Sequence, residues 1–192
     1  MPLDTTSIEQ NTRKIVEQVE QLTLGTAASY SYGGGTVYGL TNTPYRVTKT
    51  LTLPTAVGWE PAVTYDEILD MIQSLQDIYF NGPYGVFMSP GWTKYMNTDY
   101  SAAYPGVSLA SKLREVEDIR FVRKVDYLSG FQIVMFQLTK DVIRAVTGMP
   151  MTTMQWESQG GMMVNFKIMC IMVPEVRANA SDQTGICHGT AA

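Results

Sequence analysis

Ile8, Ile15, Val19 and Leu22 follow one another at spacings of seven, four and three, which sets a single apolar stripe on a helix over residues 4–24. Glu9, Lys14, Glu17 and Glu20 fall largely on its other faces. Thr6 and Glu9 match a capping box at the start, and Gly25 stands where a left-handed residue ends a helix. The glycine- and tyrosine-rich stretch 30–40 has no apolar period and reads as loop and turn, followed by a short Thr-rich strand over 45–53. Ile68, Met71, Ile72, Leu75 and Ile78 give a second buried stripe, predicting a helix over 65–79 with Thr64 and Glu67 as its capping box, stopped by Asn81-Gly82-Pro83. Tyr84 to Met88 reads as a buried strand, and Ser89-Pro90 opens a helical turn that runs through Trp92, Tyr95 and Met96.

Residues 97–106 lose all apolar periodicity and read as an exposed loop before a helix over 108–116. From Ile119 the pattern changes to strands, over 119–127, 131–138, 142–147, 151–156 and 162–173, with a turn at Ser129-Gly130. The run Phe131 to Phe136 is apolar without alternation, as expected of a strand covered on both faces. Pro174 is expected to close the last strand, leaving a small, polar and irregular tail to Ala192. Helices and strands do not alternate regularly, so the fold class predicted is α+β.

Composition narrows the function. With 45% apolar and 17% charged residues in a chain of 192, a sizeable core is within reach and disorder is excluded as the dominant state. A net charge of -4 without any Lys/Arg run argues against electrostatic or sequence-specific nucleic-acid binding. No stretch reaches the roughly 18 apolar residues of a membrane span, and no signal-peptide pattern opens the chain, which therefore reads as soluble and intracellular. Cys170 and Cys187 lack the spacing of a zinc site, and His188 is the single histidine, so neither metals nor cofactors are expected and an enzyme is the weaker class. Cys187 beside His188 invites a thiolate nucleophile, but neighbours in an extended segment point to opposite sides. Gly33-Gly34-Gly35-Thr36 lacks the lysine and the following helix of a phosphate loop, and Asp66, Glu67 and Asp70 read as complements to a helix dipole. Tyr30, Tyr32, Tyr38, Trp59 and Trp92 could stack on bases, but without a basic groove they read as core or protein interface. Lys112, Arg114, Arg120, Arg123 and Lys124 are interleaved with Glu115, Glu117, Asp118 and Asp126 and read as a solvated, salt-bridged surface.

The order of elements carries more information than any single motif. The helix Ser7 to Gly25, the Tyr38-Gly39-Leu40-Thr41 segment, the helix after Thr64 and the run Asn81-Gly82-Pro83-Tyr84-Gly85-Val86-Phe87-Met88-Ser89-Pro90 together resemble the major capsid proteins of tailed phages. The stretch from Trp92 to Tyr104-Pro105, the strand pair around Ser129-Gly130 and the strand to Val173-Pro174-Glu175 extend the resemblance over nearly the whole chain. Encapsulin shell proteins share the same series. The resemblance implies the Hong Kong 97-type fold: a spine helix, a peripheral P domain with an elongated sheet, and an axial A domain whose loops meet at the capsomer centre. Here the N-terminal arm and E-loop that precede the spine helix in those families are not found, as a fragment or a short relative would explain.

On this resemblance, residues 1–80 hold the spine helix and P-domain elements, 81–145 mainly the A domain, and 146–192 the return strands and tail. The implied function is a non-enzymatic capsid subunit that forms pentamers and hexamers around a phage genome, in the virion and, during assembly, the host cytoplasm. Scaffold, portal or decoration proteins are further partners that such a role allows. The alternatives are an encapsulin shell and, from another class, a small hydrolase using Cys187. The tail after Arg177 favours the phage shell over the encapsulin. Asn97, Thr98, Asp99, Tyr100 and Ser101 occupy the place of the capsomer-axis loop, where Asp99 would form a ring of like charge. The methionines of 149–154 and 162–172 are expected to pack in the P domain and tolerate small shifts, since an unbranched thioether fills irregular gaps. Without the arm and E-loop, the 192-residue chain alone is expected to be a monomer or small ring in dilute solution, with closed shells requiring an upstream segment.

Overall fold

The computed structural model describes residues 5–27, 30–32, 34–101 and 104–191. Helix α1 spans Thr5–Leu24, so Thr6 lies inside it, and the residues that would cap it fall outside those described. Its other end is as expected. Gly25 has φ of 82°, and the amide of Thr26 donates to the carbonyl of Gln21 at 3.0 Å. Two further open carbonyls are closed by the Tyr38–Thr41 segment: Leu40 donates to Thr23 at 3.0 Å and Thr41 to Leu24 at 2.8 Å. Gly39 makes this docking possible, because a Cβ there would stand 2.6 Å from both the Gly25 Cα and the Leu22 carbonyl. Ahead of the segment, strands β1 (Tyr30–Tyr32) and β2 (Gly35–Val37) form a small hairpin where only loop was expected.

After β3 (Val47–Leu51), helix α2 spans Pro61–Gln76, one turn earlier than the sequence pattern predicts. Pro61 takes the first helical position, where its missing N–H costs nothing. Thr64 and Glu67 therefore form no capping box. Thr64 is buried and accepts from the Trp59 indole at 3.0 Å, while Glu67 accepts from the Thr52 amide and hydroxyl, each at 2.7 Å, tying α2 to the end of β3. No acidic residue lies in the first turn of α2, so Asp66, Glu67 and Asp70 do not serve its dipole. Ile68, Met71, Ile72 and Leu75 are buried as their spacing predicts, and the helix ends before Tyr79, which is 90% exposed.

The remaining elements are β4 (Tyr84–Met88), a short 3-10 turn leading into α3 (Thr93–Met96), β5 (Asp99–Ser101), β6 (Tyr104–Ser108), α4 (Leu109–Arg114), β7 (Ile119–Lys124), β8 (Gln132–Gln137), β9 (Ile143–Ser158), β10 (Met163–Val176) and β11 (Ile186–Ala191). Three expectations are corrected. The separate strands over 142–147 and 151–156 are one continuous strand, β9. Pro174 does not end β10 but sits within it opposite Ala145, tolerated because β10 has β9 as its one sheet neighbour. The supposedly irregular tail contains β11, which inserts between β3 (parallel) and β8 (antiparallel) in a five-stranded sheet ordered β3-β11-β8-β4-β7.

Both faces of that sheet are covered, which explains the uninterrupted apolar run in β8. Ile133 and Met135 face the cluster built with α2, α3 and α4, where Trp92 and Leu113 are fully buried. Val134 and Phe136 face the opposite cluster with Leu24, Leu40, Val125 and Val142. The end of α1 and the segment docked on it thus pack against the face of the sheet away from α2. Replacing Gly39 with alanine should push the docked segment off α1 and cost about 1–3 kcal/mol. Urea unfolding followed by circular dichroism measures this as a lowered midpoint with an unchanged slope.

Candidate assembly surfaces

The five residues of the candidate axial loop occupy the edge of a hairpin rather than a polar loop. Asn97 and Thr98 close α3: their amides donate to Lys94 and Tyr95 at 3.2 Å each, and the Asn97 side chain donates to Thr93 at 2.8 Å. β5 then pairs antiparallel with β6, Asp99 opposite Ser108 and Ser101 opposite Tyr104. Tyr100 turns inward, its ring edge-on to Tyr65 of α2 at 5.5 Å, while Asn97, Thr98 and Asp99 are exposed. The sequence hides this strand pair because three residues are too few to display alternation.

The larger surface is the ribbon made by β9 and β10, two antiparallel strands of 16 and 14 residues. Its base is pinned by Glu175, which accepts from Arg144 at 2.5 Å and Arg177 at 3.0 Å. The two guanidinium groups hold the Glu175 carboxyl below the ordinary carboxylate range. Near the base, α1 and β10 enclose an apolar groove of about 650 Å³ lined by Ile15, Val19, Leu22, Cys170, Ile171 and Val173. Further out, Met154, Trp156, Met162, Met163 and Val164 are all at least 46% exposed. Apolar residues exposed at that density on a two-stranded ribbon make it a candidate interaction surface, because such a ribbon is marginal in water by itself. Methionine content pointed to this region, but burial was expected where the chain instead leaves most of these side chains exposed.

Catalytic chemistry finds little support in the residues that invited it. Cys187 lies in β11 against the helix-side core, and its thiol is pushed up to about 12 by burial, against a small opposing pull from Lys49. A thiol so placed stays protonated and shielded. His188 points to the other face and shares a 3.2 Å hydrogen bond with the Gln132 side chain. Burial, and then the nearby Arg46, hold its imidazole below the ordinary value of 6.5. Among the described residues, no group of three or more His, Cys, Asp and Glu could hold a metal ion, and no helix is long and apolar enough to cross a membrane. The aromatic candidates are dispersed. Trp92 is fully buried, Trp59 packs edge-on against Tyr95 at 5.2 Å, Tyr38 is exposed, and the side chains of Tyr30 and Tyr32 lie outside the described residues. In the mixed-charge region, Lys112 pairs with Glu115 at 2.9 Å and Lys124 with Asp126 at 2.7 Å, both exposed.

Residues 1–189 match a family of unknown function, DUF6260. The chain belongs to that family. No curated protein matches the sequence. Among solved structures, the capsid of Myoviridae phage XM1 overlays with a TM-score of 0.77 at 13% identity, covering 100% of this chain and 66% of the phage protein. The virus-like particle from Pyrococcus furiosus gives 0.62 at 15% identity, covering 79% of this chain and 58% of the other. Mycobacterium phage Che8 gives 0.53 at 14% identity, covering 97% of this chain and 60% of that one. The DUF6260 chain therefore spans less than two thirds of the length of each, and it has the α+β, Hong Kong 97-type fold that its element order resembles.

The environment of His188 has a measurable consequence. An imidazole held neutral by burial binds its proton more readily in the unfolded chain, so folding stability rises with pH between the lowered folded value and about 6.5. Stability should therefore be full above about pH 6.5 and fall as the pH drops below it. His188→Gln should flatten this part of the profile, read from urea unfolding midpoints at pH 5 and pH 7.5.

Proposed function

We propose that the chain is a structural subunit of an icosahedral shell, assembling into pentamers and hexamers that enclose a phage genome. The overlay on the XM1 capsid over the entire chain carries this reading, and the exposed apolar ribbon supports it. In this reading α1 is the spine, and the β9–β10 ribbon beside it forms the P domain. The five-stranded sheet with its helices forms the A domain. That sheet draws strands from residues 1–80, 81–145 and 146–192 alike, so the domains interleave along the chain. The β5–β6 hairpin with Asn97, Thr98, Asp99, Tyr100 and Ser101 would face the capsomer axis. Scaffold, portal and decoration proteins are the partner classes that suit the role, with the virion and host cytoplasm as its places.

An encapsulin-type container is the second reading, supported by the likeness to the Pyrococcus furiosus particle. The tail no longer discriminates, since it ends in a strand of the sheet. The higher TM-score and fuller coverage of the XM1 capsid favour the phage-type shell.

Sedimentation velocity and electron microscopy of the purified chain over a range of concentrations test shell formation. Monomers or small rings are expected in dilute solution, with rings of regular size growing in as the concentration rises, and a chain that stays monomeric up to millimolar concentration overturns the reading. Asp99→Lys should change the proportion of rings if the β5–β6 hairpin lines an axis. An Asp99 located far from every five-fold or six-fold axis in a reconstructed particle rejects that placement.

A further inference from the structure

Beyond the ion pairs at its base, the β9–β10 ribbon has a charge pattern that points to its occupant. Between Ala145 and Pro174 there are only two charged residues, Glu157 and Lys167, both exposed. Lys167 stands opposite Met154, and Glu157 stands opposite Val164. Residues directly opposite in an antiparallel pair share a face and successive residues alternate, so Lys167 and Glu157 lie on different faces of the ribbon. The Lys167 face carries Met154, Trp156 and Met163, and the Glu157 face carries Val164, Phe166 and Ile168. Neutral polar residues lie among them, Ser158 and Asn165 on the first face and Thr153 and Gln155 on the second, so each face is largely apolar with a single charge. Neither charge has a partner within the described residues, and β9 has no sheet neighbour other than β10.

Covering either face with an apolar surface would strand its charge away from water, a costly outcome unless an opposite charge arrives with the partner. A second copy meeting like face to like face brings Lys167 towards Lys167, or Glu157 towards Glu157. A second copy presenting its other face brings the complement. Resting on the shell reading above, we propose that ribbons of neighbouring copies stack in a head-to-tail sense, the Lys167 face of one on the Glu157 face of the next. Such a contact is heterologous: it leaves one free face at each end and so propagates until a ring closes. Apolar contact supplies affinity, and the Glu157–Lys167 pair sets which faces meet.

Charge reversal on the full chain separates this arrangement from the others. Glu157→Lys alone places two lysines in the contact, and Lys167→Glu alone places two glutamates there. Each should weaken association measured by sedimentation velocity about tenfold or more, with unchanged circular dichroism. The double variant Glu157→Lys/Lys167→Glu restores opposite charges across the same contact and should return association to within about threefold of the original. Single variants that associate as well as the original chain, or a double variant no better than the weaker single one, overturn the stacked ribbon. If shells still form in that case, the shell reading stands without it. An original chain that never associates overturns both.

Discussion

The pairing of β8 with its neighbours is the constraint on which the rest of the structure depends. β8 receives β11 on one side and β4 on the other, both antiparallel, and buries Ile133 and Met135 on one face and Val134 and Phe136 on the other. A central strand hidden on both faces satisfies all its backbone groups only if both neighbours are present. β11 arrives from the far end of the chain, and β4 from a turn that follows α2. Because β3 pairs only with β11, the last strand also holds the first strand of the sheet in place. Residues separated by well over a hundred positions are therefore locked into one layer.

That layer encloses the two residues that invited a thiolate nucleophile, Cys187 and His188. The sole histidine and one of the two cysteines are used up inside it, each shielded by burial. The charged residues are sent outward, into short exposed pairs such as Lys112–Glu115 and into the Arg144–Glu175–Arg177 clamp at the base of the ribbon. Beside that sheet stand a short hairpin, β5–β6, with Asp99 exposed, and a long ribbon rich in methionine. The burial thus goes into one two-faced sheet, while the ribbon keeps apolar side chains such as Met154 and Trp156 exposed.

The two surfaces differ in how they are held. The β5–β6 hairpin is anchored through Tyr100 on Tyr65 and through α3, so its exposed residues sit on a fixed base. The ribbon is fixed only at its root, by Glu175 and by the packing of α1 on β10. Register in the ribbon shifts between Met169 and Ile171 and again between Ile171 and Met172, beside the groove with α1, and such irregularities bend a strand pair. Methionine suits such a segment, since its side chain adapts to neighbours whose positions are not identical in every contact.

Local chemistry was legible wherever a period or a terminator acts within a few residues. The α1 stripe with its Gly25 stop, the buried face of α2, the buried strand at Tyr84 and the two-sided burial of Phe131 to Phe136 all follow from spacing alone. The order of those elements also pointed to the fold. The start of α2 is masked in the sequence because Thr64 and Glu67 form a capping signature that is satisfied instead by Trp59 and Thr52, partners brought by packing. The candidate axial residues were adjacent in sequence, yet only the pairing of β5 with β6 decided that Tyr100 turns in and Asp99 turns out. The last strand is not legible in the sequence: Ile186-Cys187-His188-Gly189 has a polar residue and a glycine where a core strand should be apolar. Gly189 is there because Leu51 of β3 packs against its backbone, and His188 is tolerated because Gln132 of β8 meets it. Sequence determined the segments with a strong apolar period or run, α1, α2, β4 and β8, since that depends on neighbours along the chain. Only the tertiary structure decided which polar residues are buried and which apolar ones are left in water, because their partners come from distant strands.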